Sequence, residues 1–376
     1  MTSLLIDIGP LCECGSNHGL EEMHKALSTP SEADIWRPHE SEFIRDLIER
    51  ATAKGITTLD ALHADLVGWM VRGYVGPPSP KPAGTMIHWT PEEMWGADAY
   101  LSGIPQSLWT ADDYVLLVDY LVQKHLPGSF AMSQSGYMVK RGLLMGTVEA
   151  AVGAITIKRA ADILAAVEGQ AEIDAAMRLA MIDNATIDFG RARCAESITA
   201  LTDSARHKMK GVILDYAETI KVGGKPMHSS MQQKLLDNFG ELNRDWRRIA
   251  ATETSNMALG GFIAAMPDGA KVKRVEQYQG ACPFCRKING IVLEVVDAAS
   301  DSKDWDKQVW VGKTNRGRSA SPLKRVGGQL VKREDDELWT VPADTAHPHC
   351  RGRWVKMSDT APADNLTLWL DGFKEE

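Results

Sequence analysis

Cys282-Pro283-Phe284-Cys285, answered much later by His347-Pro348-His349-Cys350-Arg351, decides how the C-terminal part of this chain is read. Two thiols two residues apart, joined by an imidazole and a third thiol at i and i+3, are how a protein builds a closed tetrahedral zinc site. Three soft thiolates and one imidazole suit zinc and leave no open position for a catalytic water, so such a site closes a fold. The expected ligands are Cys282, Cys285, His347 and Cys350, with His349 as the alternative fourth ligand. Two rival readings use the same residues. A thioredoxin-like redox pair needs a strand before the C-x-x-C and a sizeable helix after it. Here Asn289-Gly290 follows within a few residues and Ile291–Val296 reads as a strand, which places the thiols on a tight knuckle. Unliganded core cysteines are the plainer alternative.

Upstream, Trp246-Arg247-Arg248-Ile249-Ala250-Ala251-Thr252-Glu253 resembles the R-x-x-A-x-T-E helix that precedes a C-P-x-C knuckle in the phage Mu F-like head morphogenesis family. The order then agrees through a polar connection, the knuckle, Asn289-Gly290 with its strand, and His-Pro-x-Cys-Arg. The resemblance covers about residues 195 to 357 and implies a minor capsid protein. The expected work is head morphogenesis, portal or inner-capsid attachment, and packaging or delivery of the genome. The implied setting is the virion, and the host cytoplasm during assembly. Many relatives close with His-Pro-x-Cys-Arg-Cys; this chain has Gly352 there, and 61 residues separate Cys285 from His347.

The chain has 376 residues, 44% of them hydrophobic, enough for two or three domains with sizeable cores. No N-terminal stretch combines basic residues, an apolar core and a cleavage site, so the six cysteines are expected to stay reduced or metal-bound. The longest apolar run, Gly142 to Ile157, carries Glu149 and falls short of the roughly twenty residues that cross a bilayer. No stable membrane insertion is expected.

A net charge of −8 argues against a general nucleic-acid coat. The charge is uneven: eight basic residues and no acidic one lie between Lys307 and Arg333. Asn315-Arg316-Gly317-Arg318-Ser319 and Gly327-Gly328 suggest a mobile loop, either simply solvated or touching packaged DNA or an acidic portal face through Lys313, Arg316, Arg318, Lys324 and Arg325.

The fold class expected is mainly α with a small C-terminal α+β zinc-clasped domain. Residues 1–40 read as an extended arm, in which Cys12, Cys14, His18 and His24 match no strong metal pattern. A helical domain over 41–130 rests on apolar periodicity at Glu42–Lys54, Thr58–Tyr74 and Thr110–Lys124, interrupted by the proline-rich connector Gly76–Gly84. Long helices over Tyr137–Glu168, Ala171–Ile182 and Ala192–Lys221 fill 131–228. The Mu F-like domain with its zinc knuckle occupies 229–357, with a helix at Ser229–Met266 and strands near 272–277, 291–296, 308–311, 337–341 and 353–357; a tail follows over 358–376.

No catalytic residue is assigned. Asp344, His347, His349 and Glu253 could be pieces of a His-Asn-His nuclease, but that pattern needs a helix after the cluster, where Arg351–Val355 reads as a strand. A packaged nuclease or toxin-like effector and a neck or tail adaptor are the alternative functions. Glu253 is expected to brace the clasp, through knuckle backbone N–H groups or Arg351.

Overall fold

The computed structural model describes residues 42–71, 76–82, 89–153, 155–222, 228–276, 281–348, 350, 352–357 and 364–373. The N-terminal arm with Cys12 and Cys14, the Gly223–Pro226 break, His349 and Arg351 lie outside them. The chain is mainly helical with a small C-terminal sheet region. It divides into two discontinuous units, one of 50–137 and 189–250, the other of 1–49, 138–188 and 251–376.

The helix α1 (Glu42–Val71), which belongs to the first unit from Arg50 onward, runs unbroken where two helices were expected. Two features carry it across Gly55-Ile56-Thr57-Thr58. The hydroxyls of Thr57 and Thr58 donate to the carbonyls of Ala53 and Lys54, four residues back, so neither competes for a cap. Gly55 is required because a Cβ there would lie 1.8 Å from the Trp246 indole, which is fully buried and donates its Nε1–H to Thr52 O. The helix α2 (Pro91–Ser102) was not anticipated, although Thr90-Pro91-Glu92-Glu93 spells a capping box with proline in the first turn. A second box, Thr110 with Asp113, starts α3 (Ala111–His125). Asp113 also accepts from Tyr100 and from Lys81 of the proline-rich connector, 2.9 Å each, tying that connector to the unit.

The apolar run is the buried second half of α4 (Gly128–Val152). The helix expected to reach Glu168 stops there: Gly153 turns at φ +79° and Thr156 caps α5 (Ile157–Ala166). After α6 (Gln170–Leu179), the long helices α7 (Asn184–Lys221) and α8 (His228–Ala264) follow. Within the second unit α4 and α8 approach at backbone contact. A Cβ on Gly146 would lie 1.8 Å from Ala258 O, and one on Gly261 2.1 Å from Leu143 O.

The sheet that follows has strand order β3-β2-β1-β6. Its central strand β1 (Lys271–Val275) pairs antiparallel with β2 (Val292–Val295) and with β6 (Arg353–Lys356), and β2 pairs parallel with the short β3 (Gln308–Val309). Phe262, Ile263, Val272, Leu293, Val309 and Trp354 form its core. A separate ribbon, β4 (Leu323–Val326) and β5 (Gln329–Lys332), stands where a mobile loop was expected, and at 337–341 the end of a 3-10 turn (Asp335–Glu337) and one bridge at Leu338 replace the expected strand. The tail carries α10 (Asp364–Asp371), whose Leu370 carbonyl accepts from Arg159.

Candidate metal centre

Cys282 and Cys285 sit at the start of the helix α9 (Pro283–Ile288), whose six residues end before Gly290 turns the chain at φ +84° into β2. Cys282 is the N-cap, and its sulfur accepts the Cys285 N–H at 3.4 Å. The helix is too short for the thioredoxin-like arrangement, which wants a sizeable helix after the thiols. His347 and Cys350 come from the turn before β6, closed by Cys350 N–H on His347 O.

These two segments, 62 residues and more apart, converge. His347 Nε2 lies 3.3 Å from Cys282 Sγ and 3.2 Å from Cys285 Sγ, and Cys285 Sγ lies 3.9 Å from Cys350 Sγ. Donors around a tetrahedral zinc, at 2.3 Å for sulfur and about 2.0 Å for nitrogen, stand about 3.5–3.8 Å apart. The three thiols are buried. The opposite ring nitrogen, Nδ1 of His347, is 2.8 Å from Pro348 O; with the proton there, Nε2 keeps its lone pair for a metal. Trp339 stacks over the imidazole and meets Phe284 edge-on, covering the cluster with aromatic surface. No family model, curated protein or solved structure matches the chain. What the site can do therefore rests on its donors.

Among the described residues those donors number five. Cys282, Cys285 and His347 bring their ligand atoms within 4.8 Å of one another, and Glu276, Cys285 and Cys350 form a second such group. The cluster could hold a metal ion. Glu276 follows β1, and its carboxylate lies 3.5 and 3.6 Å from Cys350 Sγ. Arg274 clamps it: Nε donates to Glu276 at 2.7 Å, another guanidinium nitrogen to Cys350 Sγ at 3.7 Å, and a third to Asp344 O at 3.1 Å. Both side chains of this ion pair are fully buried. The guanidinium thus fills with permanent positive charge the side of the cluster where a carboxylate and a thiolate would otherwise repel.

The electrostatics follow from that packing. Burial pushes the Glu276 carboxyl up to about 7, against the pull of Arg274 and with that of Cys350. Burial works against the Cys350 thiolate, but Cys285, Arg274 and His347 together hold its pKa well below the usual thiol range. Hydrogen bonding from Cys285 brings Cys282 down to about 4, while the two neighbouring sulfurs and burial push Cys285 up. His347 rises to about 10, with burial opposing and the Cys282 and Cys350 sulfurs stabilising its cation. A site that collects thiolates and protonates its histidine in this way is one from which a divalent ion would displace protons.

The glycine at 352 has a spatial cause. A Cβ at 352 would lie 1.9 Å from Glu276 Oε1, so the clamped carboxylate occupies that room. Of the partners expected for Glu253, Arg351 lies outside the described residues; a link toward the clasp runs through Asn256. Asn256 donates to Glu253 at 3.3 Å and accepts both the N–H (3.1 Å) and the hydroxyl (2.5 Å) of Thr345, two residues before His347. The spacing of cysteines revealed neither this clip nor the Arg274–Glu276 pair. The one signal for the pair is an arginine at the inward register of a strand, in step with Val272.

The five basic residues proposed as contacts do not form one surface. Lys313 is fully buried: its ammonium donates to Trp305 O (2.6 Å) and Gln308 O (2.7 Å) beside the Trp305 and Trp310 rings. Arg318 lies over the Trp305 ring at 4.0 Å and donates to Leu338 O. Lys324 pairs with Glu337 at 2.5 and 2.7 Å. Asn315, also buried, bonds Thr340 and Ala346, so this stretch is stapled to the body. Only Arg316 and Arg325 of the five are exposed.

Proposed function

We propose that this chain is a non-enzymatic virion component, a minor head protein whose C-terminal domain is closed by one structural zinc. On this reading its helical regions attach it to the portal or the inner capsid surface, and it serves head assembly, genome packaging or genome delivery. It would be made in the host cytoplasm and end in the virion. The observation that carries the reading is the convergence of two distant segments, which brings His347 to Cys282 and Cys285 and Cys350 to Cys285, in the order that resembles the Mu F-like domain. Zinc is favoured by the chemistry of the set: three thiolates and an imidazole with its proton directed away, four ligands that would leave no open position for a water. Cys282, Cys285, His347 and Cys350 are the ligands on this reading, and Glu276 is an outer carboxylate held off by Arg274. A structural role is further supported by β6, a strand where a His-Asn-His nuclease would place its metal-binding helix.

Elemental analysis of the purified protein tests the metal. About one zinc per chain is expected, lost in Cys282→Ser and Cys350→Ser together with thermal stability. Absence of metal from the parent protein would overturn the clasp. Co-purification with portal protein, and not with tail proteins, is the corresponding test of the head role; metal-dependent cleavage of plasmid DNA would replace it with the nuclease alternative.

A further inference from the structure

The ribbon of β4 and β5 is built differently from everything around it. Gly327 and Gly328, at φ +58° and +85°, make the tight turn that two such strands need. Leu323 pairs with Lys332 and Arg325 with Leu330, while Lys324 opposes Val331. Lys324 reaches back to Glu337, so its face of the ribbon is turned to the body. The opposite face therefore carries two leucines on one diagonal and two cations on the other, all exposed: Leu323 is 45% and Leu330 62% accessible.

We infer that this face docks the protein on an anionic lipid surface, with Leu323 and Leu330 entering the interface and Arg325 and Lys332 pairing with headgroup phosphates. Charge selects the partner: Arg325 and Lys332 are exposed on this face and neither strand of the ribbon carries a carboxylate, although the chain as a whole is acidic. The apolar half of the face then separates lipid from the other polyanions. Grooves of duplex DNA are read by donors and acceptors on the base edges, and two leucines offer neither. Lysine is depleted from the cores of protein interfaces, whereas beside a bilayer its aliphatic stem lies along the apolar surface and its ammonium reaches the phosphates. Contact of this kind is shallow and reversible, its strength the sum of the buried aliphatic area and of the attraction of each cation to the surface. The inference does not depend on the metal or on the head-protein reading.

Flotation of the full-length protein with vesicles tests it. Phosphatidylcholine vesicles containing one third phosphatidylglycerol should carry the protein at low salt, and pure phosphatidylcholine should not. Arg325→Gln with Lys332→Gln should weaken binding on the order of thirtyfold, from two cations at the usual attraction of each to an anionic surface. Leu323→Asn with Leu330→Asn should weaken it comparably while leaving the charge, and the metal content of the protein, unchanged. Binding that survives both pairs of changes would overturn the assignment. So would failure to float with either vesicle, and so would retention of random-sequence duplex DNA by a protein that ignores lipid, which would return the ribbon to nucleic acid.

Discussion

Arg274 and Glu276 are buried as a charged pair against Cys350, and removing one partner leaves the other without compensation. Arg274→Met is expected to cost about 3 kcal/mol, the usual scale for breaking a buried pair, and Arg274→Met with Glu276→Leu should recover most of it. Urea unfolding followed by tryptophan fluorescence measures both; equal losses in single and double variants would refute the pairing. A second residue prediction concerns Lys313. Burial pushes its ammonium down to about 8, from 10.5, so between those values the unfolded chain binds more protons than the folded one. Stability from this residue should therefore rise with pH across that window, by about 3 kcal/mol at most, and Lys313→Met should remove the rise. The four cysteine and histidine positions were legible in the sequence because metal-ligand spacing is local within each pair. Arg274 and Glu276 were not, because what makes them matter is a thiol 74 or more residues away, and a cation and a carboxylate two apart on a strand look like any solvated surface. Lys313 misled for the same reason: a lysine in a basic run reads as exposed until two backbone carbonyls and two indoles close around it.

Helices are held here by approach distance as much as by periodicity. Gly146 on α4 and Gly261 on α8 each face backbone of the other helix, where an added methyl would meet a carbonyl oxygen and not a yielding side chain. Gly146→Ala and Gly261→Ala should each cost about 3 kcal/mol by forcing the helices apart. Gly211→Ala on α7, with nothing within 4 Å of its added Cβ, should instead gain about 0.5–1 kcal/mol from helix propensity. Thermal melts of the three variants decide it, and similar behaviour of all three would remove the close-packing argument. The sequence showed that long apolar-faced helices lie here, since period and length were unmistakable. It could not show that α1 continues through Gly55, because the reason is an indole contributed from almost two hundred residues later. The ribbon is the opposite case: Val326-Gly327-Gly328-Gln329 between two alternating strands was a readable hairpin signal, obscured by the charge around it.

At the scale of the molecule, the metal-binding candidates and the helix packing belong to one unit, and the Trp246 and Asp113 networks to the other. That division is discontinuous, so no shift in composition along the chain announces it. It would also give a bound metal a local consequence. The small sheet gathers β1, β6 and the two ligand-bearing segments around a core that includes Cys282, Cys285 and Cys350 themselves, so an ion there would supply cohesion that so little apolar surface does not. Stripping metal with a chelator should raise amide hydrogen exchange by at least an order of magnitude in Val292–Val295 and Arg353–Lys356, on the principle that local opening free energies follow local stabilisation. Protection of Val115–Val122 in α3, within the other unit, should stay the same. Uniform loss in both places would mean that the ion supports the whole chain cooperatively, and no loss in either would mean that the sheet stands on its apolar core and the Arg274–Glu276 pair alone.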